Sequence, residues 1–435
     1  MPHDLMSRDP DGAGGEASDP RERVRFAVVG TPGDRRVTMF GDAVVRHGLP
    51  EPIVIPWCDV LAGGAAPTPP VPDPSGRDSC DSPSPGAGGA ARAPGVIPPG
   101  TLVRIDSPGE DAEADALLRG PGDPSRVAGG ARWYRNLVAG LARAHDLTEA
   151  TPSARLLGDP GEIAVMFDKR LTHRRLRDAG VPIPEALPGP ITSYDELRDE
   201  MARRGWSRVF VKPAHGSSAS GVIALQAHRA RIKAVTSADL GPGPSLHNSL
   251  RLRTYEAEDD VATIVGTLAP DGLHVERWFP KASIAGRAFD LRVVCVAGTP
   301  THAVVRLGRG PMTNLHLGGA RGDLDVVRAR LGGAGWDGAM EVCARAAACF
   351  PRSLAVGVDL MVGADLRSVA VAEVNAFGDL LPGLLGLPGT PGAGLDTYAT
   401  QVAAVLGGWR PGPRQEQGER RAGESVGRAW GRRRA

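Results

Sequence analysis

The alternation of apolar and polar positions divides the chain into recognisable elements. VRFAVVG (24–30), apolar throughout after Arg25, is of strand length, and is followed by a helical stretch to His47 and a second strand in PIVIPW (52–57). TLVRID (101–106) predicts a third strand, and WYRNLVAGLARAHDL, from Trp133, a helix. Further on, Asp159 suits an N-cap, Pro160 the first turn, and Glu162 the return position of a capping box. Ile163, Phe167 and Leu171 form a stripe at helical spacing, and Gly180 followed by Val181-Pro182 ends the element, so one helix carrying Lys169 is expected over 159–180.

From Arg208 the period changes to that of strands. RVFVKPA and GVIALQA flank the small-residue segment AHGSSASG, which predicts a hairpin. DLRVVCVAG and THAVVRLG predict a second hairpin turning at Gly298-Thr299-Pro300, and a helix follows from about Asp337 to Cys349. LAVGVDLMVG and SVAVAEVN predict a third hairpin; strict alternation puts Val369, Val371, Glu373 and Asn375 on one face. With the turn centred on Leu366, position i pairs with 732 − i, and Asp359 faces Glu373. Like charges so placed repel, and the pairing makes sense with a divalent cation between them. Asn375 adds a neutral oxygen, completing a hard set suited to Mg²⁺; the alternative is an exposed, solvated edge.

Composition bounds what such a site could serve. The 435-residue chain has a formal net charge of +1, which gives no electrostatic case for nucleic acid or an anionic membrane as partner. It contains no apolar run of about 20 residues. The start lacks a signal-like apolar segment, and five scattered cysteines without a C-x-x-C fit reduced thiols and a cytoplasmic location. Residues 63–100 are nearly all Gly, Pro, Ala, Ser and Asp and are expected to form a disordered insertion. Only four of the 51 basic residues are lysines (Lys169, Lys212, Lys233 and Lys281), so each position holding one invites the question of what needs a compact ammonium. Lys212 ends a strand beside Ser217 and Ser218, in a loop that could set N–H groups and hydroxyls against phosphate or be an ordinary hairpin turn. The Walker A pattern is absent.

In order, FDKRL, AGVPIP, VFVKPAHGSSASGV, VERWFPKA, FDLRVVCVAG, NLHLGG, GVDLM and AEVNAFGD resemble the motif series of ATP-grasp enzymes, nearest the branch of the ribosomal-protein glutamate ligase (RimK) and glutathione synthetase, over about residues 150–405. The resemblance implies an α/β (α+β) ATP-grasp fold with an N-terminal Rossmann-like domain. The boundaries expected are a disordered tail at 1–22, the N-terminal domain at 23–150, the ATP-grasp domain at 151–408 and a second disordered tail at 409–435. Within the ATP-grasp domain, a lid is expected over about 185–275 and a metal-binding part over about 276–408.

The same resemblance implies roles. Lys169 and Lys212 would contact the nucleotide, with Ser217 and Ser218 in the loop over its phosphates. The backbone of Glu276, Arg277, Trp278 and Phe279 would read the adenine edge, and Asp290 would contact ribose or nucleotide, or else belong to an ion pair with Arg292. Arg292 and Arg306 would face phosphate, and Asn314 would lie near the transferred group. Asp359, Glu373 and Asn375 would hold two Mg²⁺ (or Mn²⁺) ions, Glu373 bridging, whereas His316 suits a structural partner better than a catalyst. Pro280-Lys281 departs from the acidic residue common in related enzymes and weakens the ribose contact; the 226–275 stretch matches nothing assignable.

The implied activity is an ADP-forming ligase that activates a small-molecule or peptide carboxylate as an acyl phosphate and joins it to an amine. A phosphotransferase of the same superfamily and a catalytically silent ATP-binding regulator are the alternatives, and a homo-oligomer is left open. DSPGE (106–110) follows a strand directly, so Asp106, Ser107 and Glu110 are candidates to meet the amine, or Pro108-Gly109 forms a plain turn.

Overall fold

The computed structural model describes residues 24–62, 97–109, 111–216, 219–228, 231–241 and 245–413. The two tails, most of the 63–100 insertion, Glu110, Ser217, Ser218 and the side chain of His316 lie outside the described residues.

The N-terminal apolar runs form a four-stranded parallel sheet. β1 (Phe26–Gly30) leads to α1 (Arg35–Arg46), whose first turn is capped by the Asp34 carboxylate accepting from the Arg36 N–H. β2 (Ile53–Pro56), α2 (Trp57–Ala62), β3 (Leu102–Ile105), α3 (Ala112–Arg119), α4 (Gly130–Glu149) and β4 (Arg155–Leu156) follow. Strand order is β2-β1-β3-β4, all parallel. All of β1 is buried, as a strand covered on both faces must be, which is why it reads as a continuous apolar run.

The helix expected over 159–180 is two helices. Asp159 caps α5 (Pro160–Phe167) as its pattern predicts, but the chain extends at Asp168, which caps a new helix, α6 (Lys169–Asp178), through the N–H groups of Arg170 and Leu171. Glu162 does not reach back to its own cap. Its carboxylate accepts from the Arg352 N–H and the Ser353 hydroxyl, tying α5 to a segment almost 200 residues away. Local capping geometry lost here to a tertiary partner.

A five-stranded antiparallel sheet follows, built by α7 (Tyr194–Arg203), β5 (Arg208–Pro213), β6 (Ile223–His228), β7 (Arg231–Leu240), β8 (Leu246–Tyr255), α8 (Glu258–Leu268) and β9 (Leu273–Arg277) in the order β8-β7-β6-β5-β9. The 226–275 stretch thus supplies half of β6, most of β9, all of β7 and β8, and the helix α8, whose Val261, Ile264, Val265 and Leu268 pack on that sheet with Leu197 and Met201 of α7. The third sheet is antiparallel: β10 (Ser283–Ile284), β11 (Arg287–Val296), β12 (Thr299–Gly308), β13 (Ala320–Gly322), α9 (Leu324–Ala348), β14 (Ala355–Val362) and β15 (Val369–Asn375), ordered β13-β12-β11-β14-β15 with β10 beside β11. The β11–β12 turn is Ala297-Gly298, both at positive φ, one residue earlier than its proline suggests. α9 begins before the expected Asp337 and kinks at Gly332. The last helix, α10 (Thr397–Leu406), returns to α1, where Tyr398 meets Phe40 edge-on at 6.3 Å.

Two polar seams hold the sheets in register. Arg104 lies between Asp106 and Asp379, and also donates to Gln401 of α10 at 2.5 Å. Asp106 is fully buried in this cluster, so it is not available to an amine substrate; the sequence placed it at a strand end but gave no sign of Arg104 folding over it. At the second seam, α4 starts with Gly129 and has no cap of its own. Asp271, in a 3₁₀ turn before β9, supplies one from outside, accepting from the N–H groups of Gly129, Gly130 and Ala131 at 2.5, 3.1 and 3.2 Å. Asp271→Ala is expected to cost about 1 kcal/mol, the usual worth of an N-cap, read as a lower urea midpoint with unchanged m-value.

Candidate active site

The centre of the site is the β14–β15 hairpin. Asp359 stands directly opposite Glu373, as the turn arithmetic requires, but a bulge follows at once: Leu360 pairs with Val371 and Ala372 has no partner. The extra residue reverses the alternation. Val371 and Val374 both enter the core under the sheet, whereas Glu373 and Asn375 line a cavity of about 620 Å³. Val371 and Glu373 therefore do not share a face in the way strict alternation predicts. The bulge separates the apolar half of the strand from its polar end.

Cations surround the two carboxylates. Arg292 (β11) holds Asp359 with the Nε–Nη2 edge of its guanidinium, and Arg306 (β12) reaches it with Nη2 at 3.2 Å. Burial works against the Asp359 charge, but the two guanidinium groups overcome it and hold its pKa down to about 2. Lys169, at the first turn of α6, places Nζ 3.5 Å from Glu373 and donates to the Gly216 carbonyl at 2.7 Å. Lys212, at the end of β5, is buried with Nζ 2.8 Å from Glu276 and 3.4 Å from the Ala372 carbonyl. Desolvation opposes its charge, yet Glu276 and Glu373 hold it above the ordinary lysine range. Glu276, which His274 Nε2 also approaches at 2.9 Å, stays ionised with its pKa lowered to about 2: burial pushes the other way, and Lys212 with His274 outweighs it.

Two expectations change here. Asp290 is buried and engaged by Arg306 Nε at 2.8 Å, by Lys281 at 3.3 Å and by the Thr313 hydroxyl, so it is closed to a ribose. Its ion pair is with Arg306 across the strands; Arg292 turns to Asp359 instead. The 276–279 segment divides between two hollows. The Glu276 side chain reaches the main cavity, while Arg277, Trp278 and Phe279 line a neighbouring hollow of about 380 Å³ that meets the first at Ile183. The Arg277 and Trp278 N–H groups donate to the Glu185 and Arg208 carbonyls and are not free for an adenine edge.

Asn314, Arg292 and Arg306 line the same cavity as Lys169 and Glu373, and Lys212 lies behind its wall. Sequence reasoning missed several contributors. Asp168 accepts from Arg170 and lies 3.0 Å from His215 Nε2, and the His215 ring stacks on Tyr134 at 4.1 Å, which fixes the stem of the small-residue loop beside Lys169. An Asp directly before an Arg-rich stretch is an available capping signal; the His215 contact had none.

The residues suit a divalent cation. Asp359 and Glu373 are hard anionic oxygens on adjacent strands, and Asn375 stands on the cavity beside Glu373 with an amide oxygen of the same hard kind. Among the described residues no three His, Cys, Asp or Glu side chains converge, so the remaining ligands of such an ion would have to come from substrate and water, as Mg²⁺ accepts readily.

Because Glu276 ordinarily titrates near 4.5 and here is lowered to about 2, its contribution to stability is complete above the higher value and is lost as pH falls through the lower. Glu276→Gln should therefore destabilise the protein at pH 7, by leaving Lys212 unpaired, and flatten the fall in urea midpoint between about pH 4.5 and 2.

The chain matches no protein-family model and no curated protein. Among solved structures it is similar to the ATP-grasp ligase PsnB complexed with minimal precursor, at 18% identity and a TM-score of 0.46, covering 88% of this chain and 99% of that one. It is also similar to the macrocyclase MdnC from Microcystis aeruginosa bound with precursor peptide MdnA, at 12% identity and a TM-score of 0.46, covering 89% and 100%. A RimK domain ATP-grasp protein from Sphaerobacter thermophilus shows 14% identity and a TM-score of 0.41, covering 88% and 99%.

Proposed function

We propose that the chain is an ATP-grasp ligase, using ATP and Mg²⁺ to activate a carboxylate as an acyl phosphate that an amine then captures, with release of ADP and phosphate. The observation that carries this reading is the direct opposition of buried Asp359 to Glu373, with Glu373 on a cavity wall that also presents Lys169, Arg292 and Arg306. A triphosphate needs such a cationic wall, and its metal needs anionic oxygens within that wall.

When bound, Mg²⁺ neutralises charge on the phosphate chain and polarises the transferred group. The protein's share is positioning and fixed charge. Glu373 and Asn375 would hold the ion together with Asp359, whose low pKa keeps it deprotonated at any working pH. Lys169 is held between Glu373 and the Gly216 carbonyl, where it can pass to a phosphate oxygen without leaving a buried charge unpaired. Arg306 is held by Asp290 through Nε and by Asp359 through Nη2, which fixes its guanidinium where it lines the cavity. Lys281 secures Asp290 in turn. The chain's third site lysine thus serves by orienting an arginine. The pre-ATP-grasp domain, lid and metal-binding part follow the boundaries given above, and Ser107 with Gly109 at the cavity mouth belongs to the acceptor side.

Glu373→Gln should leave the fold intact, since its side chain is 30% exposed, and lower ATP turnover by at least about 100-fold. The assay is ADP release with mixed carboxylates and amines present, beside a thermal melt. A folded Glu373→Gln protein with near-normal turnover removes the metal assignment, and a stable phosphorylated product in place of amine-dependent phosphate release would make the enzyme a phosphotransferase.

A further inference from the structure

Three aromatic side chains from separate segments come together along the cavity wall. Trp133 of α4 meets Phe167 of α5 at 5.6 Å, and Phe167 meets Phe377, just after β15, also at 5.6 Å. Only 4% of the chain is aromatic, so three rings on one wall are a concentration. One side of each packs on the core between the parallel sheet and its helices, and each remains half-exposed to the cavity. Polar contacts fix the frame behind them. The Tyr134 hydroxyl donates to the Ala164 carbonyl at 3.0 Å, joining α4 to α5, and Arg36 donates to the Phe377 carbonyl at 2.8 Å. Rings held open in a fixed array are preorganised for a flat apolar group.

Charge around the cavity selects the sign of the ligand. The acidic residues lining the cavity, among those described, are Asp34, Glu276 and Glu373. Asp34 caps α1, Glu276 holds Lys212 and Glu373 faces Lys169. Against these three acids the lining carries five basic side chains, Arg35, Arg36, Lys169, Arg292 and Arg306, so the cavity favours an anionic ligand over an ammonium.

We infer that the carboxylate substrate of this site carries an aromatic ring, which stacks on Trp133, Phe167 and Phe377 while its carboxylate points towards Lys169 and Arg292. This rests on the ligase reading of the same cavity. The test is equilibrium binding to the full chain of 3-phenylpropanoate and 3-cyclohexylpropanoate, acids of matched length and charge that differ in planarity, with 2-phenylethylamine as the oppositely charged probe. The phenyl acid should bind about tenfold more tightly than the cyclohexyl acid, the margin two stacking contacts would supply. Trp133→Leu and Phe167→Leu, each checked by thermal melt, should reduce that ratio to below about threefold. Equal binding of the two acids, a ratio that survives in whichever variants fold, or tighter binding of the amine overturns the inference. Mg-ATP is titrated separately: failure to bind it overturns the ligase reading, while Mg-ATP binding without aryl discrimination overturns the substrate assignment alone.

Discussion

Two carboxylates stand opposite each other on β14 and β15, and an interior position makes that arrangement costly unless cations are held against them. Much of the surrounding architecture answers this one constraint. Arg292 and Arg306 come from the two neighbouring strands to neutralise Asp359, and Lys169 and Lys212 come from α6 and β5 to the Glu373 side. The five-stranded sheet, the antiparallel core sheet and the α5–α6 joint each contribute at least one charge, so the site exists only where the three meet.

The cations need support of their own. Arg306 is braced by Asp290, Asp290 by Lys281 and Thr313, and Lys212 by Glu276 with His274 behind it. Each of these buried charges has an opposite neighbour, which is how ionised groups persist in a low-dielectric setting. The consequence for function is a wall whose geometry is set before any substrate arrives. Reorganisation is then limited to Lys169 and to the Asp359 contacts that a metal would replace.

The aromatic wall and the Arg104–Asp379 cluster carry the same logic across the seam to the N-terminal sheet. Asp379 lies two residues after Phe377, and Arg36 touches both, so the contact that docks the parallel sheet also sets the ring. Gly357 and Gly378 approach so closely that a Cβ on either would meet the other's backbone within 3 Å, which lets this loop fold down beside Asn375. Docking and site geometry are therefore one structural event.

The sequence by itself determined β1 to β3, the strands of the three hairpins, the register that opposes Asp359 to Glu373, the cap at Asp159 and the lysine positions. These depend on local period and turn length, which are short-range. The bulge at Ala372, the break at Asp168, the sealing of Asp290 and Asp106, and the convergence of Trp133, Phe167 and Phe377 were decided by tertiary structure alone. Each depends on a partner far along the chain: Asp168 is 47 residues from His215, Asp106 shares Arg104 with Asp379 275 residues from that arginine, and the three rings come from separate segments. A pattern read along one strand shows which way a side chain points. Only packing shows whether a charge, a ligand or a ring is waiting there.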